Sequence, residues 1–399
     1  MRIPLHIVMF VINGVVADTR VVKEASTLAA SGHAVTVLGM WEPGQLRRER
    51  IENFEVVRVR ADPLRREVAS ATPAAGGLSR LLDPLRQAFA LVDYWVRAAW
   101  QGARLAPDVC HGHDLSALPA AWAAARASKA RLVYDAHELF TEIGRLGRFP
   151  RFAFRVLERL LIGRADRIIT VNDSIADELA RRYGVSRPIV LRNCPRTAGG
   201  VPARAQSPLR ARIGLDAETP IVLFQGMFMP GRGLENLVQA SRGFRTAHLV
   251  FMGWGPLRPE LEALARREGL ENRVHFTDGV SLADLLAYTA GADLGAIPYR
   301  NVGLNNYYTS PNKLFEYCAA GVPVVASRFP ELVKIVEGMG VGRTFDPESP
   351  EDIARVINAL LDDPKALAEA RHHARETGRT LSWEVESRKL LDLYASIAV

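Results

Sequence analysis

The chain has little cysteine. Cys110, Cys194 and Cys318 are isolated in 399 residues and show no Cys-x-x-Cys spacing. That argues against a disulfide framework or a thiolate zinc site and fits a reducing compartment. Long apolar runs are missing too. None reaches the roughly 18 uninterrupted residues of a spanning helix. Leu5–Ile12 is too short and too poorly flanked for a signal peptide, so a cytoplasmic protein is expected. Acidic charge is in deficit, with 44 Asp and Glu against 51 Lys and Arg, a net charge of +7. Such a balance suits nucleic acid, anionic lipid or phosphorylated substrates, and bias toward Arg in an Ala-rich chain accounts for it as well. The basic residues are spread and no nucleic-acid motif is present, so nucleic acid is not expected as a partner.

What is present is ordinary for a globular protein: 48% hydrophobic and 24% charged residues. The length suits two domains. In the first half, short apolar runs (Leu5–Ile12, Ala34–Leu38, Val56–Val59, the surroundings of Val109, Arg131–Tyr134, Arg167–Val171, Ile189–Leu191) alternate with helical patterns near 20–31, 80–105, 117–128, 150–164 and 173–183. The second half repeats this, with strands expected at Ile221–Phe224, His248–Met252, Val274–Phe276, Leu294–Ile297 and Val322–Ala326 and helices between them. Alternating βαβα units imply α/β domains with parallel sheets. The expected division is 1–193, a Pro/Gly/Ala-rich linker 194–208, a second domain 209–380 and a last helical segment 381–399. That last helix, with Trp383, Leu390, Leu391 and Tyr394, is apolar enough to cross back to the first domain.

Ligands of such sheets sit beyond the carboxyl ends of strands, and several loops there carry chemistry. Asn306 to Ser327 is the richest stretch. Residues 305–310 read as a loop, Ser310 as an N-cap, Pro311 as the first helical residue and Gly321 as the stop. Asn312 and Lys313 open that helix, where free N–H groups and the dipole favour an anion. Glu316 lies one turn on, able to accept two sugar hydroxyls. Gln225–Leu234 is a Gly-rich turn containing Gly226 and Arg232, a phosphate-type site that fails the dinucleotide and P-loop spacings. Gly253-Trp254-Gly255-Pro256 would let a ligand lie against the backbone. In the first half, Gly14 offers close approach, and Arg20 with Glu24 reads either as part of a site or as a surface ion pair on a capped helix. His111, His113 and Asp114 read as a weak metal pattern or as packed loop histidines. His137, beside Asp135 and Glu138, could donate to a substrate hydroxyl.

Residues 145–167 hold seven arginines against Glu158 and Asp166. Arg148, Arg151, Arg155 and Arg159 share one helical face. Phe152, Val156 and Leu160 join Ala153, Leu157 and Leu161 on the other. An anionic membrane surface and a plain sheet-covering helix both fit, and 78–105, with Leu81, Leu85, Phe89, Trp95 and Trp100, is a second candidate of the same kind.

Taken in order, Asp18-Thr19-Arg20 with Glu24, His113-Asp114-Leu115, Tyr134–Glu138, Asn193, the Arg232 turn, Gly253–Pro256, Pro298-Tyr299, Pro311–Tyr317 and Gly321–Ala326 resemble the retaining GT-B glycosyltransferases of family 4 over nearly the whole chain. The resemblance implies two Rossmann-like domains facing across a cleft. It implies a hexosyltransferase-type enzyme that moves a sugar from a UDP- or GDP-type nucleotide-sugar to an acceptor. The basic amphipathic surface, not the resemblance, suits a glycan or lipid-linked acceptor, as in bacterial polysaccharide assembly, and peripheral contact with an anionic membrane on its inner face. Arg232 and the backbone of Asn312 and Lys313 would then meet the diphosphate, with Gly226, Gly253 and Pro311 around them, and Glu316 would meet the ribose. Gly14 would approach the phosphate or donor sugar, and His137 would sit near the transferred sugar as a catalytic group with Arg232. His113, Asp114, Asn306 and Tyr308 would surround the donor sugar and acceptor. No cofactor or metal is expected, and no Asp-x-Asp is present to hold one. Two positions depart from the family. Tyr308 stands where a donor-sugar Glu is usual, and Met227 stands where a second diphosphate Arg is usual. A sugar-nucleotide epimerase-like enzyme and a non-catalytic binding protein are the alternatives.

Overall fold

The computed structural model describes residues 4–60, 77–144, 147–197, 200 and 203–397. Strands β1 (His6–Phe10), β2 (Ala34–Met40), β3 (Arg48–Ile51), β4 (Phe54–Val59), β5 (Val109–His113), β6 (Arg131–Ala136), β7 (Arg167–Thr170) and β8 (Ile189–Val190) form one sheet, ordered β3-β4-β2-β1-β5-β6-β7-β8. Strands β9 (Ile221–Met227), β10 (His248–Trp254), β11 (Val274–Thr277), β12 (Leu294–Ile297), β13 (Val324–Ser327) and β14 (Gly342–Phe345) form the other, ordered β11-β10-β9-β12-β13-β14. Every ladder is parallel except β3–β4. Helices α1 (Thr19–Ala30), α2 (Gly77–Arg104), α3 (Asp114–Ser128), α4 (Arg148–Leu161) and α5 (Asp173–Tyr183) accompany the first sheet. With the second run α6 (Pro208–Ile213), α7 (Leu234–Ala240), α8 (Arg258–Arg267), α9 (Leu285–Thr289), α10 (Leu304–Tyr307), α11 (Asn312–Ala319), α12 (Pro330–Val336), α13 (Pro350–Leu361) and α14 (Pro364–Thr380).

The central strands are apolar throughout because helices cover both faces, as parallel sheets require. Ile7, Val8, Met9 and Phe10 of β1 are fully buried, as are Val222, Leu223 and Phe224 of β9. Both strands are switch points. The chain builds outward from β1 through β2, then returns to place β5 on its other side; β9 does the same between β10 and β12. The loops after β1 and β9 therefore open into crevices suited to ligands. A last helix, α15 (Trp383–Ile397), leaves the second domain and inserts Trp383, Leu390, Leu393 and Tyr394 into the core beside Ile7, Val21 and Leu28. The Trp383 indole donates to Thr27 Oγ1 at 2.9 Å. Two Rossmann-like domains, a cleft and a returning helix are the architecture expected.

Several local expectations fail for identifiable reasons. Strand β3 was not expected, because its Arg-Glu-Arg-Ile sequence has no apolar run; it is a charged, antiparallel edge strand, a form that resists pairing with other chains. Strand β14 and helices α6 and α12 were missed as well. Residues 305–310 are not all loop, since one helical turn spans Leu304–Tyr307. Ser310 does not cap α11; Pro311 holds that place without a side-chain bond, and Ser310 Oγ instead accepts from Asn172 across the cleft at 3.0 Å. Arg145 of the basic run, Leu81 and Leu85 of the second candidate helix, and parts of the linker lie outside what is described of chain and side chains.

Candidate active site

The second domain supplies a cationic corner. Gly226 and Gly233 bracket the turn after β9 with φ of 110° and 68°, conformations that favour glycine. A Cβ at Gly233 would stand 1.8 Å from the Pro298 carbonyl oxygen. The turn thereby fixes Arg232, whose guanidinium lies over the Tyr299 ring, 4.1 Å from its centroid. Lys313, in the first turn of α11, points its Nζ over Phe224 at 3.5 Å and past Gly226. Burial, and then the Arg232 charge, push its amine well below the ordinary lysine range. Glu316 follows one turn later on α11. It accepts from Gln225 Nε2 at 2.6 Å, and burial raises its pKa. Two basic side chains and a helix N-terminus thus converge on the side of the cleft that Glu316 also lines.

The first domain supplies a buried ionic network. Arg20, 2% exposed, donates through Nε and Nη2 to both Asp135 oxygens at 2.7 and 2.8 Å and through Nη1 to the Leu191 carbonyl at 2.8 Å. Its Nε lies 3.0 Å from Glu24, so this is a core pair, not a surface one. Asp135 Oδ2 also faces His113 Nδ1 at 3.3 Å and His137 Nε2 at 3.0 Å. The other ring nitrogen of His137 lies 3.3 Å from Asp114, which also accepts from the His137 backbone N–H. Burial alone would lower the His137 pKa; Asp114 and Asp135 override it and raise it to about 10. His111 Nδ1 bonds the Tyr394 hydroxyl at 2.8 Å, linking the returning helix to the network. Glu24, His111, His113 and Asp135 approach one another closely enough to hold a metal ion. Arg20 already places a positive charge on both carboxylates of that set.

Both halves line one cleft of about 820 Å³, and Gly14, His137, Gly226, Arg232, Asn306, Pro311, Asn312, Lys313 and Glu316 all reach it. Four expected residues do not line it. His113 is buried beneath it, and Asp114 stands behind His137. Gly253 carries backbone rather than ligand: a Cβ there would meet the Gly226 carbonyl oxygen at 2.0 Å. Tyr308 packs its ring against the first domain's apolar cluster, and its carbonyl accepts from Asn172 at 2.7 Å. It joins the domains where a sugar-binding Glu was expected. Met227 does line the cleft, half exposed. Sequence reasoning missed Glu42, Gln45 and Asn172. Glu42 and Gln45 follow β2 beside the unrecognised edge strand. Gln225 reads in sequence only as part of its turn, although a buried glutamine after the apolar run Ile221–Phe224 is a signal.

Both His137 ring nitrogens are engaged by carboxylates, so neither is free to donate to a substrate in this arrangement. The imidazolium is expected to persist through neutral pH. An NMR titration of the ring should show no deprotonation between pH 6 and 8, and Asp114→Asn should lower its midpoint. A midpoint near 6.5 in the unaltered protein would contradict the geometry.

The comparisons with known proteins agree in kind. The model of the family described as "Glycosyl transferases group 1" matches residues 219–363, and that of "Glycosyl transferase 4-like domain" matches 17–194. The chain belongs to the group 1 glycosyltransferases. Among relatives of this glycosyltransferase is the D-inositol 3-phosphate glycosyltransferase of Xylanimonas cellulosilytica, 29% identical and aligned over 72% of each chain. Another is a GDP-mannose-dependent alpha-(1-6)-phosphatidylinositol monomannoside mannosyltransferase of Mycobacterium tuberculosis, 32% identical over 48% of this chain and 50% of that one. Solved structures of the same fold include a sucrose-phosphate synthase from Thermosynechococcus elongatus (TM-score 0.79, 20% identity, 98% and 99% of the two chains). The Anabaena protein HepE in complex with UDP-glucose is similar too (TM-score 0.73, 16% identity, 98% and 100%). Among the described residues, no helix of the glycosyltransferase is long and apolar enough to cross a membrane.

Proposed function

We propose that this glycosyltransferase moves a hexosyl group from a UDP- or GDP-sugar to a hydroxyl of a glycan, lipid-linked or polysaccharide, with retention at the anomeric carbon. The observation that carries the donor half is the convergence of Arg232, Lys313 and the N-terminus of α11 in one cleft with Glu316. The cations and amides take the diphosphate, and the carboxylate takes the ribose hydroxyls. The C1–O bond to the phosphate breaks, and its electron pair leaves with the diphosphate, whose growing charge these groups stabilise. The acceptor oxygen forms the new bond on the same face and passes its proton to the departing phosphate oxygen, so no protein nucleophile and no metal takes part. A GDP-mannose-dependent relative and a UDP-glucose complex of a fold neighbour support the donor class.

The first-domain wall supports an acceptor ring without phosphate. Asp18, Glu42 and Glu138 line it, while the cations there, Arg20 and His137, are held by carboxylates. A donor screen scored by nucleotide release tests the proposal. Release should require both an acceptor and a UDP- or GDP-sugar, fall with Glu316→Ala, and be faster with a neutral sugar acceptor than with a phosphorylated polyol. Conversion of donor alone would indicate an epimerase. Binding without turnover of any acceptor would indicate a non-catalytic protein.

A further inference from the structure

Helix α4 has apolar residues on two sides: Phe154, Leu157 and Leu161 pack on the core, and a second apolar stripe does not. Leu161 and Glu158 face the sheet, with Glu158 held by the hydroxyls of Tyr134 and Tyr183 at 2.9 and 2.6 Å. Phe149, Phe152, Val156 and Leu160 face outward and are 41–81% exposed. Their spacing of three and four residues sets them in one stripe. The apolar face read from the sequence is thus divided: Leu157 and Leu161 cover the core, and Phe152, Val156 and Leu160 face out. Helix α2 repeats the arrangement. Tyr94 and Ala98 are buried toward the sheet, while Phe89, Val92, Val96 and Trp100 form an outer stripe 48–64% exposed. Tyr94 and Ala98, residues of α3, and Leu161 share one apolar cluster, so the three helices lie on the same side of the first sheet. The two stripes therefore flank α3, where Arg164 lies over the half-buried Trp122 at 6.0 Å.

We infer that the outer faces of α2 and α4 form one docking surface for an anionic lipid bilayer. Charge decides among occupants. Between residues 147 and 167 six arginines face two carboxylates, Glu158 and Asp166, and Glu158 is buried. Arg148 and Arg159 are exposed beside the α4 stripe, and Arg104 lies over Trp100 at 4.5 Å at the end of the α2 stripe. Phenylalanine and tryptophan rimmed by arginine suit the boundary between headgroups and acyl chains. A like-charged second copy would pay repulsion across the same stripe. Position fits as well, a point that rests on the lipid-linked acceptor reading. The N-terminal end of α4 follows the segment in which Glu138, itself lining the cleft, bonds Asn305 at 2.9 Å, and Glu142 bonds Arg155 at 2.7 Å. The surface thus runs to the cleft mouth.

Flotation of the full chain with vesicles tests this. Partition is expected into phosphatidylcholine vesicles containing a third phosphatidylglycerol, well above phosphatidylcholine alone, and it should weaken as salt rises. Phe149→Ser with Phe152→Ser, and separately Val96→Ser with Trp100→Ser, should each cut partition at least tenfold. Arg148→Glu with Arg159→Glu should remove the preference for the anionic lipid. Calorimetric binding of UDP or GDP should be unchanged in all three, which separates failure here from failure of the donor reading. No partition at low salt, or equal partition by the serine variants, overturns the inference. So does a concentration-dependent dimer that the serine variants abolish.

Discussion

Arg232→Ala is expected to lower kcat/KM for the donor by roughly 10²–10³-fold, the cost of removing one preorganised charge from a developing oxyanion. Thermal stability should change little. Arg232 has no ion pair among the described residues, and its contact over Tyr299 is an interaction of about 0.5–1 kcal/mol. Lys313→Met should lower activity comparably while leaving stability equal or higher. The amine is buried on the Phe224 ring and depressed by its surroundings, so a methionine of similar length removes a desolvated group. The two losses should fall short of additive if both groups meet one diphosphate, as proposed. A second signature follows from the depressed amine. The free site makes the Lys313 amine easier to deprotonate than an ordinary lysine, and an arriving diphosphate favours its charged form. Binding should therefore take up protons, visible by calorimetry in buffers of different ionisation enthalpy and absent in Lys313→Met. Uptake that survives the substitution would place the proton elsewhere.

How much of this could be read from residues alone depended on what each one answers to. Pro311, Gly321 and the run Val322–Ala326 answer to local rules, so α11 and β13 were legible, as was the meeting of Arg232, Lys313 and Glu316 in one cleft. Tyr308 answers to the other domain. Its ring packs on the first domain's core, a contact no local pattern announces. His137 was found, but its partners Asp114 and Asp135 come from two strand ends and turn both nitrogens inward. Arg20 and Glu24 stay open between a site and a surface pair because i,i+4 spacing is the same in water and in a core; Asp135, 115 residues away, distinguishes the two. The amphipathic pattern of α4 was legible and its orientation was not. Periodicity shows that a helix has an apolar stripe, and which side meets the sheet was settled here by the buried Glu158.

Arg20→Met is expected to destabilise the protein by about 3–5 kcal/mol, because it leaves the Asp135 carboxylate buried without its bidentate partner. Asp135→Asn should cost a similar amount by stranding Arg20. The double substitution should cost less than the sum, and a double-mutant cycle on thermal or urea unfolding measures that coupling. The network also sets a pH dependence with a definite sign. Asp135 is held well below its ordinary 3.8 by Arg20 and His137, against the effect of burial. Its contribution is present above that ordinary value and is lost as pH falls through the lower folded one. Glu24 is raised from 4.5 to about 8, chiefly by burial, and His137 from 6.5 to about 10. Between about pH 4.5 and 10 the folded network therefore keeps protons that the unfolded chain releases, first at Glu24 and then at His137. Stability falls with rising pH wherever the native state binds more protons. The depressed Lys313 and Lys23 amines act in the opposite sense, so the network's share is read by comparison: between pH 6 and pH 9 the unfolding midpoint should fall further, or rise less, in the unaltered protein than in Arg20→Met with His137→Gln. Equal pH dependence in the unaltered protein and the double variant would mean that Glu24 and His137 are not protonated as their contacts require.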